Sequence, residues 1–189
     1  MERKVVSQRQ FFKDNKESVV QPFYDTVNFP AVLAAGKYQF FTNIAGKNRY
    51  LTNMNTAAQF AKNNDFYCNG IQLKFLTDAV TLADYENFFK LSQAVLTLKL
   101  LSKVKLEIPV DMIPGGNDYQ YFSEGSAAQT LYLSNGWTVA GNMFKLPIKI
   151  EILDLDSFSV DIDVNVAGTL SKIIPVRIAL LGMLRRPAQ

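Results

Sequence analysis

The amino-acid sequence predicts an all-β fold: a single sandwich of about eight antiparallel strands, with one or two short helices in its connections and an N-terminal arm. Three observations predict it. From Ser157 to Val166 the chain is polar at odd positions and apolar at even ones, the two-residue period of a strand with one face buried and the other wet. From Gly36 onward, short apolar or alternating runs are separated by Gly, Asn, Asp and Pro, as in sandwiches and barrels. Strands crowd the C-terminal half while helical patterns fall only between strands, which argues against a doubly wound parallel sheet.

Taken in chain order, residues 1–34 read as the arm and 35–189 as the sandwich. The first twenty residues carry Arg3, Lys4, Arg9, Lys13 and Lys16 against Glu2, Asp14 and Glu17, a net of 5 − 3 = +2, with no sustained apolar period. Nine candidate strands come after it, at 37–44, 48–52, 66–76, 95–108, 129–133, 137–140, 144–153, 158–166 and 173–184, close to the eight of a jelly roll. Pro147 places its run at a sheet edge or strand start. One helix opens at Thr81, with Asp84 three residues on as an acidic variant of the capping box, and runs to about Gln93. Leu82, Tyr85, Phe88 and Phe89 then share one face. A second, weaker helix is expected at 55–62, where Ala57, Ala58 and Ala61 lie.

A chain of 189 residues fits one domain that buries roughly 70% of its unfolded surface. Apolar residues at 48% and charged residues at 20% are ordinary globular usage and exclude the disordered class. The apolar stretch 173–184 is broken by Pro175 and Arg177 and is too short to span a bilayer. The start Met-Glu-Arg-Lys lacks the apolar run of a secretory signal, and the single cysteine, Cys68, makes no internal disulfide. Synthesis in a cytoplasm without secretion is therefore expected. The net charge of +3 is too small to select nucleic acid or membrane as a partner.

The chain contains no histidine, which removes the commonest general base and metal ligand together. No phosphate loop, nucleophile elbow, zinc-spaced Cys set or dinucleotide fingerprint is present. Gly115-Gly116-Asn117-Asp118 reads as a turn, and Cys68 as a small buried thiol. Asp154, Asp156, Asp161 and Asp163 are the one acidic cluster that could hold calcium through oxygen ligands. A solvated rim is the expected reading, with Asp161 and Asp163 on the wet face of their strand. Glu107, Asp111, Asp118 and Glu124 are the acids that could in principle meet as a glycosidase pair. Lys37-Tyr38-Gln39-Phe40-Phe41 and Lys47-Asn48-Arg49-Tyr50 interleave basic and aromatic residues as nucleic-acid platforms do, but Tyr38 and Phe40 are expected in the core. No enzyme and no cofactor are expected. Arg3, Lys4 and Arg9 of the arm, and Arg185 and Arg186 near the C-terminus, are the assembly candidates.

The order Asn135-Gly136-Trp137-Thr138-Val139-Ala140-Gly141-Asn142, then Phe144-Lys145-Leu146-Pro147-Ile148, then Phe158-Ser159-Val160, then 176–187 from Val176 to Pro187, resembles the last four strands of viral jelly-roll capsid proteins. It is similar in particular to the small major capsid proteins of tailless, lipid-containing icosahedral bacteriophages. The likeness covers roughly the final third of the chain. It implies two four-stranded sheets, an arm directed at the shell interior or a neighbour, and a self-assembling structural protein of the virion. The alternatives are a minor virion protein (penton, spike base or decoration) and a carbohydrate- or receptor-binding jelly-roll module. The implied partners are copies of the chain itself and a second capsid protein, together with an internal membrane or the genome, reached through the arm or the C-terminal arginines. The family brings no catalytic residues to carry over.

Overall fold

The computed structural model describes residues 16–76, 81–113 and 143–188. Its strands, in chain order, are β1 (Lys16–Val20), β2 (Phe23–Phe29), β3 (Val32–Leu33), β4 (Gly36–Phe40), β5 (Asp65–Phe75), β6 (Val95–Leu100), β7 (Lys103–Pro109), β8 (Phe144–Ile152), β9 (Phe158–Val164), β10 (Gly168–Thr169) and β11 (Ile174–Pro187). All pairings among them are antiparallel, and they build a β-sandwich.

One sheet is organised around the long β11. On one side β2 pairs with its first half and β1 with its last residues, while β5 pairs with the other side and β8 lies beyond β5. The facing sheet has the order β4-β9-β6-β7. The short β3 and β10 pair with each other where the chain leaves β2 and β9.

The alternation along β9 works as the sequence predicts: Phe158, Val160, Ile162 and Val164 are buried between the sheets. They meet Phe66, Ile71, Leu73 and Phe75 of β5 and Ile174, Val176, Ile178 and Leu180 of β11 in one continuous core. Each such side chain contributes about 1.5–3 kcal/mol of burial. Aromatic rings tie the layers together, with Phe60 stacked on Phe158 at 5.1 Å and set against Phe66 at 5.4 Å. Edge contacts of Phe88 with Phe29 and Phe75, both at 5.1 Å, do the same at the opposite end.

Several expected elements differ. Residues 16–33, assigned by sequence to the arm, are the strands β1, β2 and β3, and Phe23, Phe29 and Leu33 are core residues. The rest of the expected arm, 1–15, lies outside the described residues. The run 95–108 is two strands joined at Leu101 (φ 49°) and Ser102 (φ 64°), a two-residue hairpin turn with both central residues left-handed. Residues 48–52 form no strand. The Asn48 side chain caps a turn by accepting from the N–H of Tyr50 and Leu51, and the turn lies along the outer edge of β2. There Asn53 and Tyr24 exchange hydrogen bonds, and the Thr52 and Thr26 hydroxyls bond to the carbonyls of Tyr24 and Leu51. The segment shields an edge that would otherwise be open.

Residues 55–62 are not a helix. Ala57 and Ala61 are exposed, so no apolar face forms, and Ala58 instead bonds across the chain to Phe41 and Phe158. The helix at Thr81 does form, with the capping box present: Thr81 Oγ1 accepts from the Asp84 N–H at 3.2 Å, and Asp84 Oδ2 accepts from the Thr81 N–H at 2.8 Å. It is α1 (Leu82–Glu86), continuing as one π-helical turn over Asn87–Leu91. The expected strands at 129–133 and 137–140 and the expected turn at 115–118 lie outside the described residues.

Candidate functional site

The outward face of the four-stranded sheet holds a polar cluster. Odd positions of β9 place Ser159, Asp161 and Asp163 on it. Register sets Asp161 opposite Gln39 of β4 and Thr97 of β6, and sets Asp163 opposite Lys37. Lys99 Nζ donates to Asp161 Oδ2 at 3.1 Å, and Lys37 Nζ lies 3.5 Å from Asp163 Oδ2. The hydrogen bond and charge of Asp161 raise the Lys99 ammonium above its ordinary range.

The expectation of a wet Asp161 is corrected: it is 1% exposed and its neighbour Thr97 is 5% exposed. In the middle strands of this sheet, flanking side chains on both sides cover the short carboxylate, and period alone does not register that. Its second oxygen, Oδ1, is buried with no hydrogen-bond partner among the described residues.

Beside this cluster, β4, the Leu101–Ser102 turn and the β8–β9 connection surround an open depression of about 450 Å³. Gln39, Thr42, Ser102, Ser157 and Ser159 line it with hydroxyl and amide groups, Lys99 adds an ammonium, and its apolar part is the half-buried Ala58 and the buried Phe158.

The four aspartates do not converge. Asp154 Oδ2 accepts from the Asn63 N–H at 2.9 Å, which ties the β8–β9 turn to the β4–β5 connection, and Asp156 Oδ2 accepts from the Leu153 N–H at 3.4 Å within the turn itself. Among the described residues no group of three or more Asp, Glu, His or Cys side chains could hold a metal ion. Glu107 and Asp111 are exposed, whereas Asp118 and Glu124 lie outside the described residues.

Of the assembly candidates, Arg3, Lys4 and Arg9 lie outside the described residues. Arg185 and Arg186 are strand residues of β11. Arg186 Nε donates to Glu17 Oε1 at 2.6 Å across the β1 pairing, and Arg185 acts with Glu151 on the Tyr67 hydroxyl. Tyr67 is raised by burial first and by Glu151 next, with Arg185 opposing.

Sequence reading missed two further arrangements. Arg177 lies between the rings of Tyr24 (4.8 Å) and Tyr50 (4.7 Å) and donates to the Tyr50 carbonyl, a two-sided cation–π clamp. Asp25, fully buried in β2, accepts from Lys47 and from the Phe41 N–H. The Lys47–Tyr50 run, whose basic and aromatic texture suggested nucleic acid, thus supplies Lys47 and Tyr50 to intramolecular contacts. Tyr38 is stacked on Phe29 at 4.2 Å and Phe40 is buried, as the core reading expected.

Among the described residues no helix is long and apolar enough to cross a membrane. Comparisons with protein-family models, with curated protein sequences and with solved structures give no match.

Proposed function

We propose that this chain is a structural virion protein: the major capsid protein of an icosahedral shell, folded as a single jelly roll and acting by self-assembly. The observation that carries the reading is the nesting of its strand pairs. If β1, which adds only to the end of β11, and the two-residue β3 and β10 are set aside and the other eight strands are counted one to eight, the first pairs with the last, the second with the seventh, the third with the sixth and the fourth with the fifth. Such a chain is one long hairpin wrapped on itself, which is how two Greek keys make a jelly roll. Even the short β3–β10 pair falls at the nested position, between the first and second pairs. The step from this fold to a shell is analogy, and the resemblance of the C-terminal third favours it.

The sheet edges bear on how copies would meet. At β8, the four residues Leu146 to Lys149 stand opposite the single residue Asn69; Leu146 turns into the core while Pro147, Ile148 and Lys149 are exposed, Ile148 by 80%. β7 presents Lys103 and Lys105. Bulges, prolines and lysines discourage strand addition, so contacts between copies run through loops and protruding side chains such as Ile148, Leu101 and Leu155. In this reading the protein is made in the host cytoplasm and resides in the virion. Light scattering and negative-stain electron microscopy of the purified chain across salt and crowding conditions test it. Closed particles or capsomer rings are the expected result, and a strict monomer in every condition overturns the proposal.

A further inference from the structure

The depression beside Lys99 has a chemistry of its own, independent of whether the chain builds a shell. Its polar lining is five neutral groups, Gln39, Thr42, Ser102, Ser157 and Ser159. Hydroxyls and amides each both donate and accept, which suits a ligand whose own groups do the same. Its one cation is neutralised by Asp161 at 3.1 Å, so the lining favours neither a phosphate nor a metal ion. About 450 Å³ is the volume of a small-molecule site; its accessible apolar part is the half-buried Ala58, since Phe158 is buried in the core.

Asp161, the ion-pair partner of Lys99, is buried and outside the lining, so its Oδ1, unpartnered among the described residues, is not part of the depression's surface. A backbone feature marks the depression instead. The turn on its rim holds Leu101 and Ser102 at positive φ without a glycine, and backbone strain of this kind gathers at binding sites.

We infer that this depression binds a neutral polyhydroxylated ring, a hexose or a terminal sugar of a glycan, with the hydroxyl and amide side chains reading its hydroxyls. Gln39 and Ser157 are both exposed, so they can be changed without touching the core.

Saturation-transfer NMR on the full chain would use methyl α-glucoside, methyl β-galactoside, methyl α-mannoside, N-acetylglucosamine and inorganic phosphate as probes. At least one sugar is expected to receive saturation and phosphate is not expected to compete with it. The double variant Gln39→Ala/Ser157→Ala is expected to weaken binding about tenfold, the loss of one or two net hydrogen bonds, with its circular dichroism unchanged. Ser157→Trp, which fills the depression, should abolish it. Silence from all four sugars, competition by phosphate, or binding that survives both the double variant and Ser157→Trp would overturn the inference.

Discussion

Lys47 Nζ lies 2.8 and 2.9 Å from the two carboxylate oxygens of Asp25, a fully buried residue of β2 that also accepts the Phe41 N–H at 2.8 Å. Through this one carboxylate the strand holds both the start of the long β4–β5 connection and Phe41, which sits at φ 66°. Removing one member of a buried pair leaves the other uncompensated, at a cost of about 3–5 kcal/mol. Lys47 is 19% exposed, so water softens its side of the loss. Asp25→Ala should therefore destabilise by about 3 kcal/mol and Lys47→Met by less, read as shifts in urea midpoint at constant slope. Equal effects within 0.5 kcal/mol of zero, by the ~0.5 kcal/mol scale of surface changes, would show that the pair is dispensable.

Gly182 is where β11 passes a bulge against β5. A Cβ there would meet the Tyr67 carbonyl oxygen at 2.1 Å and the Phe66 ring at 2.8 Å. The oxygen belongs to the backbone of a central strand, so it cannot give way cheaply. Gly182→Ala should cost about 3 kcal/mol or more, the upper end of overpacking effects. Gly168→Ala, whose new methyl would find only Asn87 Cβ at 4.0 Å, is the control and should stay within about 1 kcal/mol of the parent. Thermal melts of the two variants side by side decide it.

Burial pushes the Cys68 thiol from 9.0 up to about 12, and no part of the side chain is accessible. The neutral thiol is therefore the form that the fold stabilises. That contribution is complete below pH 9 and is lost as the pH climbs from 9 towards 12. A thiolate-selective reagent at about pH 8, near the ordinary thiol range, should leave the native protein unlabelled and react fully in urea. Prompt labelling of the folded chain would contradict the burial.

How far the sequence disclosed this architecture depends on how local each signal was. The alternation from Phe158 to Val164 and the Thr81–Asp84 capping box are encoded within a few residues, and both appear where the pattern puts them. The turn at Leu101–Ser102 was illegible because neither residue is a glycine, asparagine or aspartate, and the register is set by partners across the sheet. Asp25, Lys47, Arg177 and Tyr50 look like surface residues one by one. Only the pairing of β2 with β11, and the return of residues 47–53 along the β2 edge, bring them together. The same holds for the depression: Gln39, Ser102 and Ser157 come from three separate parts of the chain, and no spacing in one dimension announces their meeting.

Asp84 carries the last prediction. It is 1% exposed and accepts the Thr81 and Ser171 hydroxyls at 2.7 Å each and their backbone N–H groups at 2.8 and 2.5 Å, fastening α1 to the segment between β10 and β11. Burial alone would raise its pKa. The four hydrogen bonds from Ser171 and Thr81 together outweigh burial and leave it below 3.8. A depressed carboxylate contributes stability that is present above its unfolded pKa and disappears as the pH falls through the lower folded value. Asp84→Ala should therefore cost about 2 kcal/mol near neutrality, the scale of a lost cap with buried donors left unmet. The gap between variant and parent should close as the pH is lowered below about 4. Urea unfolding at a series of pH values measures that gap directly; a difference that stays constant down to about pH 2, well below the ordinary carboxylate range, would mean that the carboxylate's charge has no part in the fastening.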